Sequence, residues 1–230
     1  MKILEVCMSR GFGGLELYVL KISKFLNSNN YHCNVISRKN SFMFNKLSDT
    51  NITSKTFPSI FHFLPLISAI KLAIYINSNK TDLLHVHWGK DILLVVLAKI
   101  FSRRKVKIVY TRHMALTRKK DDFYHRFIYQ NIDIYHVITK ELYTDAVKYI
   151  PIDKSKIQLV YHGVPVVENT NNCQSYLAES NLDENKFRLV IFGRIEKGKG
   201  QHLVVESIKK MHEKGINIQL AIIGNVMDQE

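Results

Sequence analysis

The sequence predicts an α/β protein in which a parallel sheet, covered on both faces, occupies most of the chain and one strand–helix–strand unit of a second domain follows. Three observations lead there. Short apolar runs alternate with helically periodic segments from the first residue onward. Glycine-rich turns stand directly behind two of those runs, SRGFGGLE at residues 9–16 and GRIEKGKG at residues 193–200. A polar, asparagine-rich stretch interrupts the alternation at residues 169–186.

Taken in order, residues 3–8 are a short apolar run and read as a strand. Residues 10–14 turn the chain, and residues 15–27 place Leu15, Tyr18, Val19, Ile22, Phe25 and Leu26 on one helical face. Residues 32–37, 83–87 and 105–111 are further strands, with a helix over 92–101 between the last two. Strands over 133–139 and 157–161 flank a helix over 140–149. Behind the polar stretch, 187–192 and 218–223 are strands. Between them a helix over 200–213 turns Leu203, Val204, Ile208 and Met211 inward, with Gly215 as its C-cap. The expected organisation is a domain over 1–168, a connection over 169–186 and the start of a second domain over 187–230. That last piece reads as incomplete, because a domain of this type needs about 100 residues or more to bury both faces of its sheet.

Composition narrows the function classes. With 230 residues, 46% of them hydrophobic, the chain can bury a sizeable core. Cys7, Cys33 and Cys173 are far apart and form no C-x-x-C pair, so neither a disulfide framework nor a zinc site is indicated, which suits a reducing cytoplasm. The N-terminus lacks a signal-peptide core, since Glu5 breaks its apolar run. The apolar segment over 60–76 contains His62, Pro65 and Lys71 and is too interrupted for a membrane span. The whole net charge of +13 falls in residues 1–168, and residues 99–126 hold ten basic side chains against Asp121 and Asp122. Such a run favours an anionic membrane surface or an acidic glycan, or is simply a solvated face. No helix-turn-helix, zinc-finger or RNP pattern points to nucleic acid.

The two glycine turns carry the chemistry. GRIEKGKG fits the P-loop pattern G-x-x-x-x-G-K-[ST] except at its last position, where Gly200 replaces the hydroxyl that would hold Mg²⁺. The following strand also ends without a metal-binding acid, so a P-loop NTPase is the weaker alternative and a merely structural turn another. The first turn is a poor dinucleotide fingerprint, because Ser37, Arg38 and Lys39 stand where a ribose-binding carboxylate belongs. His85 and His87 share one strand face, where they could bind metal, line a cleft or pack. His113 stands at a strand end, where a histidine is either structural or functional. Glu16 could line the glycine loop or favour the helix dipole.

Together these segments resemble the retaining glycosyltransferases of family 4, which have the GT-B fold of two Rossmann-like domains. GGLELYVLKISKFLNSNNYHCNVIS from Gly13 is similar to the family's GG-x-E loop, first helix and next strand. DLLHVHWG, VYTRHM and YHGVP are similar to later strand ends, with His162 and Pro165 departing from the family's N-G-V-D element. FGRIEKGKGQHLVVESIKKM resembles the G-R-[LI]-x-x-x-K-G segment, and LAIIGN the strand after it. The resemblance implies that Arg194 and Lys199 neutralise the diphosphate of a nucleotide-sugar donor, with Gly13 and Gly14 on the opposing turn. It implies that His113 is the active-site histidine of the acceptor domain, and that neither metal nor another cofactor is required. The acceptor would be a glycan or a lipid-linked sugar at the inner face of the membrane, as in lipopolysaccharide or other surface polysaccharide synthesis. The family's E-x₇-E segment has no counterpart in residues 1–230. A truncated or split enzyme is therefore expected, with a non-catalytic acceptor-binding subunit, completed by a protein partner, as the alternative.

Overall fold

Alternating apolar residues on short strands build the first of two units, Met1–Gly163 and Val164–Glu230. The computed structural model describes residues 1–11, 13–56, 65–164, 183 and 186–224. Cys173, Pro165 and nearly all of the connection expected over 169–186 lie outside the described residues.

In the first unit, β1 (Lys2–Cys7), β2 (His32–Ser37), β3 (Ser54–Thr56), β4 (Leu83–Val86), β5 (Lys107–Arg112), β6 (Ile134–Val137) and β7 (Ile157–Leu159) form one sheet. Its order is β3-β2-β1-β4-β5-β6-β7, and every neighbouring pair is parallel. The helices are α1 (Gly14–Ser28), α2 (Phe42–Ser48), α3 (Leu66–Asn79), α4 (Ile92–Phe101), α5 (Phe123–Gln130) and α6 (Lys140–Tyr149).

The two-residue period of the strands sorts side chains to opposite faces. Leu4, Val6, Leu84, Val86, Ile108, Tyr110, Tyr135 and Val137 form one apolar cluster with α3, α4, α5 and α6. Cys7 and Val35 form another with Val19 of α1 and Met43 and Leu47 of α2. Glu5, His85, Thr111 and His136, out of step with the first set, therefore share the α1 face. Strand order reverses between β1 and β4, the switch point at whose carboxyl edge sheets of this kind bind ligands. Glu5 and His85 are register partners across it.

Sequence reading located most strands and passed over α2, β3, α3 and α5. Two of those helices carry local start signals: the Ser41 side chain accepts from Phe44 N at 3.1 Å, and Asp122 accepts from His125 N at 3.0 Å. Helix α3 occupies the second half of the apolar segment 60–76, whose residues 60–64 lie outside the described ones. Among the described residues no helix is long and apolar enough to cross a membrane. Phe25 of α1 is exposed, contrary to expectation, while Glu16 and Ser23 are buried.

The second unit contains β8 (Phe187–Phe192), α7 (Gln201–Glu213) and β9 (Ile218–Ile223), with β8 and β9 parallel. Val204, Ile208 and Met211 of α7 are partly buried, but Leu203 turns outward, packing near Gly200 at the helix start. Phe187 and Phe192 of β8 are also largely exposed.

Candidate functional site

A row of polar side chains crosses the α1 face of the sheet from β1 to the end of β7. Glu5, fully buried, places Oε1 3.1 Å from His85 Nδ1 and Oε2 2.5 Å from His87 Nε2. From His85 the row continues through Nε2 to Thr111 Oγ1 at 2.7 Å, then to His136 Nδ1 at 2.8 Å. It ends where His136 Nε2 donates to the Val160 carbonyl at 2.9 Å. A branch runs from His87 Nδ1 to His113 Nε2 at 3.2 Å.

Aromatic contacts hold the branch. The ring of Tyr18, from α1, stacks on His162 with centroids 4.0 Å apart and meets His113 edge-on at 5.3 Å. His162 Nε2 is buried without a hydrogen-bond partner among the described residues. Burial pushes the Glu5 carboxyl up, but the charges and hydrogen bonds of His85 and His87 outweigh it and hold it at about 2. Burial, then the charge of His85, lowers His87 to about 4 against the pull of Glu5. Burial and the neighbouring histidines lower His113 to about 3. Both rings are neutral at physiological pH.

Two loops meet at the switch point beside this row. Asp91, just before α4, is fully buried and accepts a 2.8 Å hydrogen bond from Met8 N. Its burial raises the carboxyl to about 7. Glu16, in the first turn of α1, is also buried and accepts from the Ser9 hydroxyl. Gly13 is the N-cap of α1 in an extended conformation open to any residue. A Cβ at Gly13 would reach only Glu16 Oε2, at 3.6 Å, and one at Gly14 would meet nothing within 4 Å. Among the described residues, neither backbone geometry nor packing calls for glycine at these two positions.

The second unit's glycine turn is built differently. Gly193 has φ +147° and Gly200 φ +73°, both in the region that favours glycine. The left-handed backbone at Gly200 explains why the Ser or Thr of a P-loop is missing there. A Cβ on Gly224 would overlap the Gly193 carbonyl at 1.7 Å, so β8 and β9 approach closely at their ends. Arg194 pairs with Glu196 at 3.2 Å, and its carbonyl accepts from Gln201 Nε2 at 2.8 Å. Lys199 closes a short 3₁₀ turn directly before α7.

A family model described as Glycosyltransferase Family 4 matches residues 12–168, about two thirds of the chain and nearly all of the first unit. The chain belongs to glycosyltransferase family 4. The fold of this family 4 protein is the GT-B type, as its likeness to solved structures shows. A glycosyltransferase from Rickettsia africae superposes with a TM-score of 0.79 at 18% identity, over 97% of this chain and 60% of that one. HepE from Anabaena, in complex with UDP and glucose, gives 0.78 at 18% identity, over 99% of this chain and 62% of that one. The lipopolysaccharide outer core galactosyltransferase WaaB, in its apo form, gives 0.66 at 15% identity, over 98% and 68%. This chain thus spans about 60% of the length of the first two structures. A comparison with curated protein sequences gives no match.

The family 4 residues singled out from sequence fall in both units. His113, Gly13 and Gly14 belong to the first; Arg194 and Lys199 flank the glycine turn of the second, beyond the matched segment. His85 and His87 join Glu5 in a trio whose ligand atoms lie within 4.8 Å of one another, close enough for one metal ion. Each histidine nitrogen faces its own carboxylate oxygen, the arrangement of a hydrogen-bonded network. The basic run over 99–126 is less available than its charge suggests, because Lys99, Arg104, Lys107, Lys119 and Arg126 all form ion pairs with aspartates. Sequence reading missed Glu5, Thr111, His136 and Asp91 as site residues. Glu5 was legible in principle, as the one acid inside an otherwise apolar strand.

Proposed function

We propose that this family 4 protein transfers a sugar from a nucleoside-diphosphate sugar to a glycan or lipid-linked acceptor, with retention at the anomeric carbon. The observation that carries the reading is His113: an uncharged imidazole at the carboxyl end of β5, held against Tyr18 of the helix that the glycine turn opens. A neutral ring is suited to exchanging hydrogen bonds with sugar hydroxyls, whereas an imidazolium would repel a cationic transition state. The glycines at 13 and 14, required by nothing among the described residues, leave room for close backbone approach to a ligand, and the N-terminus of α1 favours an anionic one. Arg194 and Lys199 supply the fixed positive charge that a departing diphosphate needs in a metal-independent reaction. That HepE is seen with UDP and glucose supports a nucleotide-sugar donor.

The acceptor is read as membrane-borne. Leu66, Ile67, Ile70 and Ile74 of α3 and Ile100 and Phe101 of α4 are exposed large apolar side chains. A surface groove of about 430 Å³ between these helices is lined by Ile70, Ile74 and Phe101 together with Arg103. Apolar side chains beside cations suit a peripheral contact with an anionic bilayer at its cytoplasmic face.

The test is a transfer assay on the protein with a panel of nucleotide sugars and lipid-extract acceptors, comparing wild type with His113→Ala. Loss of about tenfold to a hundredfold in kcat/KM, the scale of one or two hydrogen bonds, is expected. Unchanged turnover in His113→Ala would remove the histidine from the mechanism.

A further inference from the structure

The hydrogen-bond row permits a proton count. A carboxylate oxygen only accepts, so the 2.5 Å contact puts the hydrogen of His87 on Nε2. A neutral His87 then has a bare Nδ1, and the hydrogen in its 3.2 Å contact with His113 comes from His113 Nε2. That leaves His113, also neutral, with a lone pair on Nδ1. The other arm behaves differently. Its four hydrogen bonds run from Glu5 Oε1 through His85, Thr111 and His136 to the Val160 carbonyl. Two neutral histidines and one hydroxyl supply three hydrogens, an ionised Glu5 supplies none, and the terminal carbonyl can only accept. One extra proton is therefore held in this arm, and it balances the buried carboxylate. Wherever that proton sits along the arm, Oε2 remains the acceptor for His87.

We propose that Glu5 is a positioning residue: acting through His87, it fixes the tautomer of His113 so that a bare Nδ1 is presented to a ligand hydroxyl. The role assigned to that hydroxyl rests on the glycosyltransferase reading, but the tautomer does not. Groups near His113 are His87, His162, Tyr18, His85 and His136, all uncharged or more remote except for the balanced Glu5 arm. Its protonation pattern is thus set by Glu5 rather than by a free local charge. Glu5 on β1 is the register partner of His85, and from there its two carboxylate oxygens meet His85 and His87 separately.

The experiment is long-range ¹H–¹⁵N NMR of the histidine rings in the full chain, uniformly ¹⁵N-labelled, at neutral pH. Wild type should show His113 and His87 each with a protonated Nε2 and an imine-type Nδ1. Glu5→Gln can satisfy both arms without the extra proton, its carbonyl facing His87 and its amide facing His85, so His113 should keep the wild-type pattern. Glu5→Leu removes the acceptor, and His113 should shift to a protonated Nδ1. A protonated Nδ1 on His113 in the wild type overturns the proposal without recourse to any variant, and so does a wild-type pattern in a folded Glu5→Leu. Addition of Zn²⁺ or a chelator should leave the ring signals unmoved; a shift at His85 and His87 would make the trio a metal site and overturn the proposal too. Because the readout is independent of turnover, a protein that shows this pattern yet transfers no sugar would refute the proposed function alone.

Discussion

Replacing Asp91 with asparagine should stabilise the protein above neutral pH, and the gain should shrink as pH falls. Asp91 is fully buried, receives one backbone hydrogen bond, from Met8, and has its carboxyl raised from 3.8 to about 7. Between those two values the folded chain keeps a proton that the unfolded chain has released, so stability falls as pH rises through this window. At 1.36 kcal/mol per unit, the full penalty above pH 7 is about 4 kcal/mol, of which about 3 kcal/mol develops between pH 5 and pH 8. His87 and His113 act in the opposite sense. Their folded values of about 4 and 3 lie below the ordinary 6.5, so their contribution is complete above pH 6.5 and is lost as pH falls. These histidine contributions cancel when variant and wild type are compared at the same pH. Asparagine reproduces the shape of a protonated aspartate, and its carbonyl can accept from Met8 N. Urea denaturation followed by circular dichroism at pH 5 and pH 8 measures the difference. A stability gap between Asp91→Asn and wild type that is the same at both pH values would refute the reasoning.

Other outcomes follow from the same geometry. Gly13→Ala and Gly14→Ala should each change folding stability by less than about 0.5 kcal/mol, because the added Cβ meets at most Glu16 Oε2 at an ordinary contact distance; calorimetry should nevertheless show weakened UDP binding, and full retention of affinity would disconnect this turn from the ligand. Arg194→Ala and Lys199→Ala should each weaken binding of a nucleoside diphosphate about tenfold or more, the scale of one charge-assisted hydrogen bond, and unaltered titrations would return both to the solvated surface. Liposome flotation should favour anionic over neutral vesicles and lose that preference in the triple variant Ile67→Ser, Ile70→Ser, Ile74→Ser; equal flotation on both lipids would end the membrane reading.

Much of this could be read from local sequence. The apolar run of β1, the helical stripe of α1 and the glycine turns pointed to a parallel α/β architecture, since strands buried on both faces read as short apolar runs and helices repeat every 3.6 residues. The family resemblance placed His113 at a strand end, and the structure puts it just after β5. What stayed hidden was whatever depends on order in the sheet. Glu5 and His85 are 80 residues apart in the chain and become neighbours only because β4 returns to pair with β1. His136 joins the row through β6, and the value of Asp91 arises from burial that no single segment provides. Short helices with mixed faces, such as α5 within the basic run, were likewise overridden by the charge signal around them.

By itself the sequence determined the class of fold, the two glycine turns and the residue types available for diphosphate and sugar. Only tertiary structure decided that Glu5 is a buried carboxylate bridging two histidines, that His113 receives its hydrogen pattern through His87, and that half of the basic run is occupied by aspartates. The physical reason is that periodicity is a local property of the chain, whereas burial, charge pairing and the placement of a proton depend on which strands the fold sets side by side.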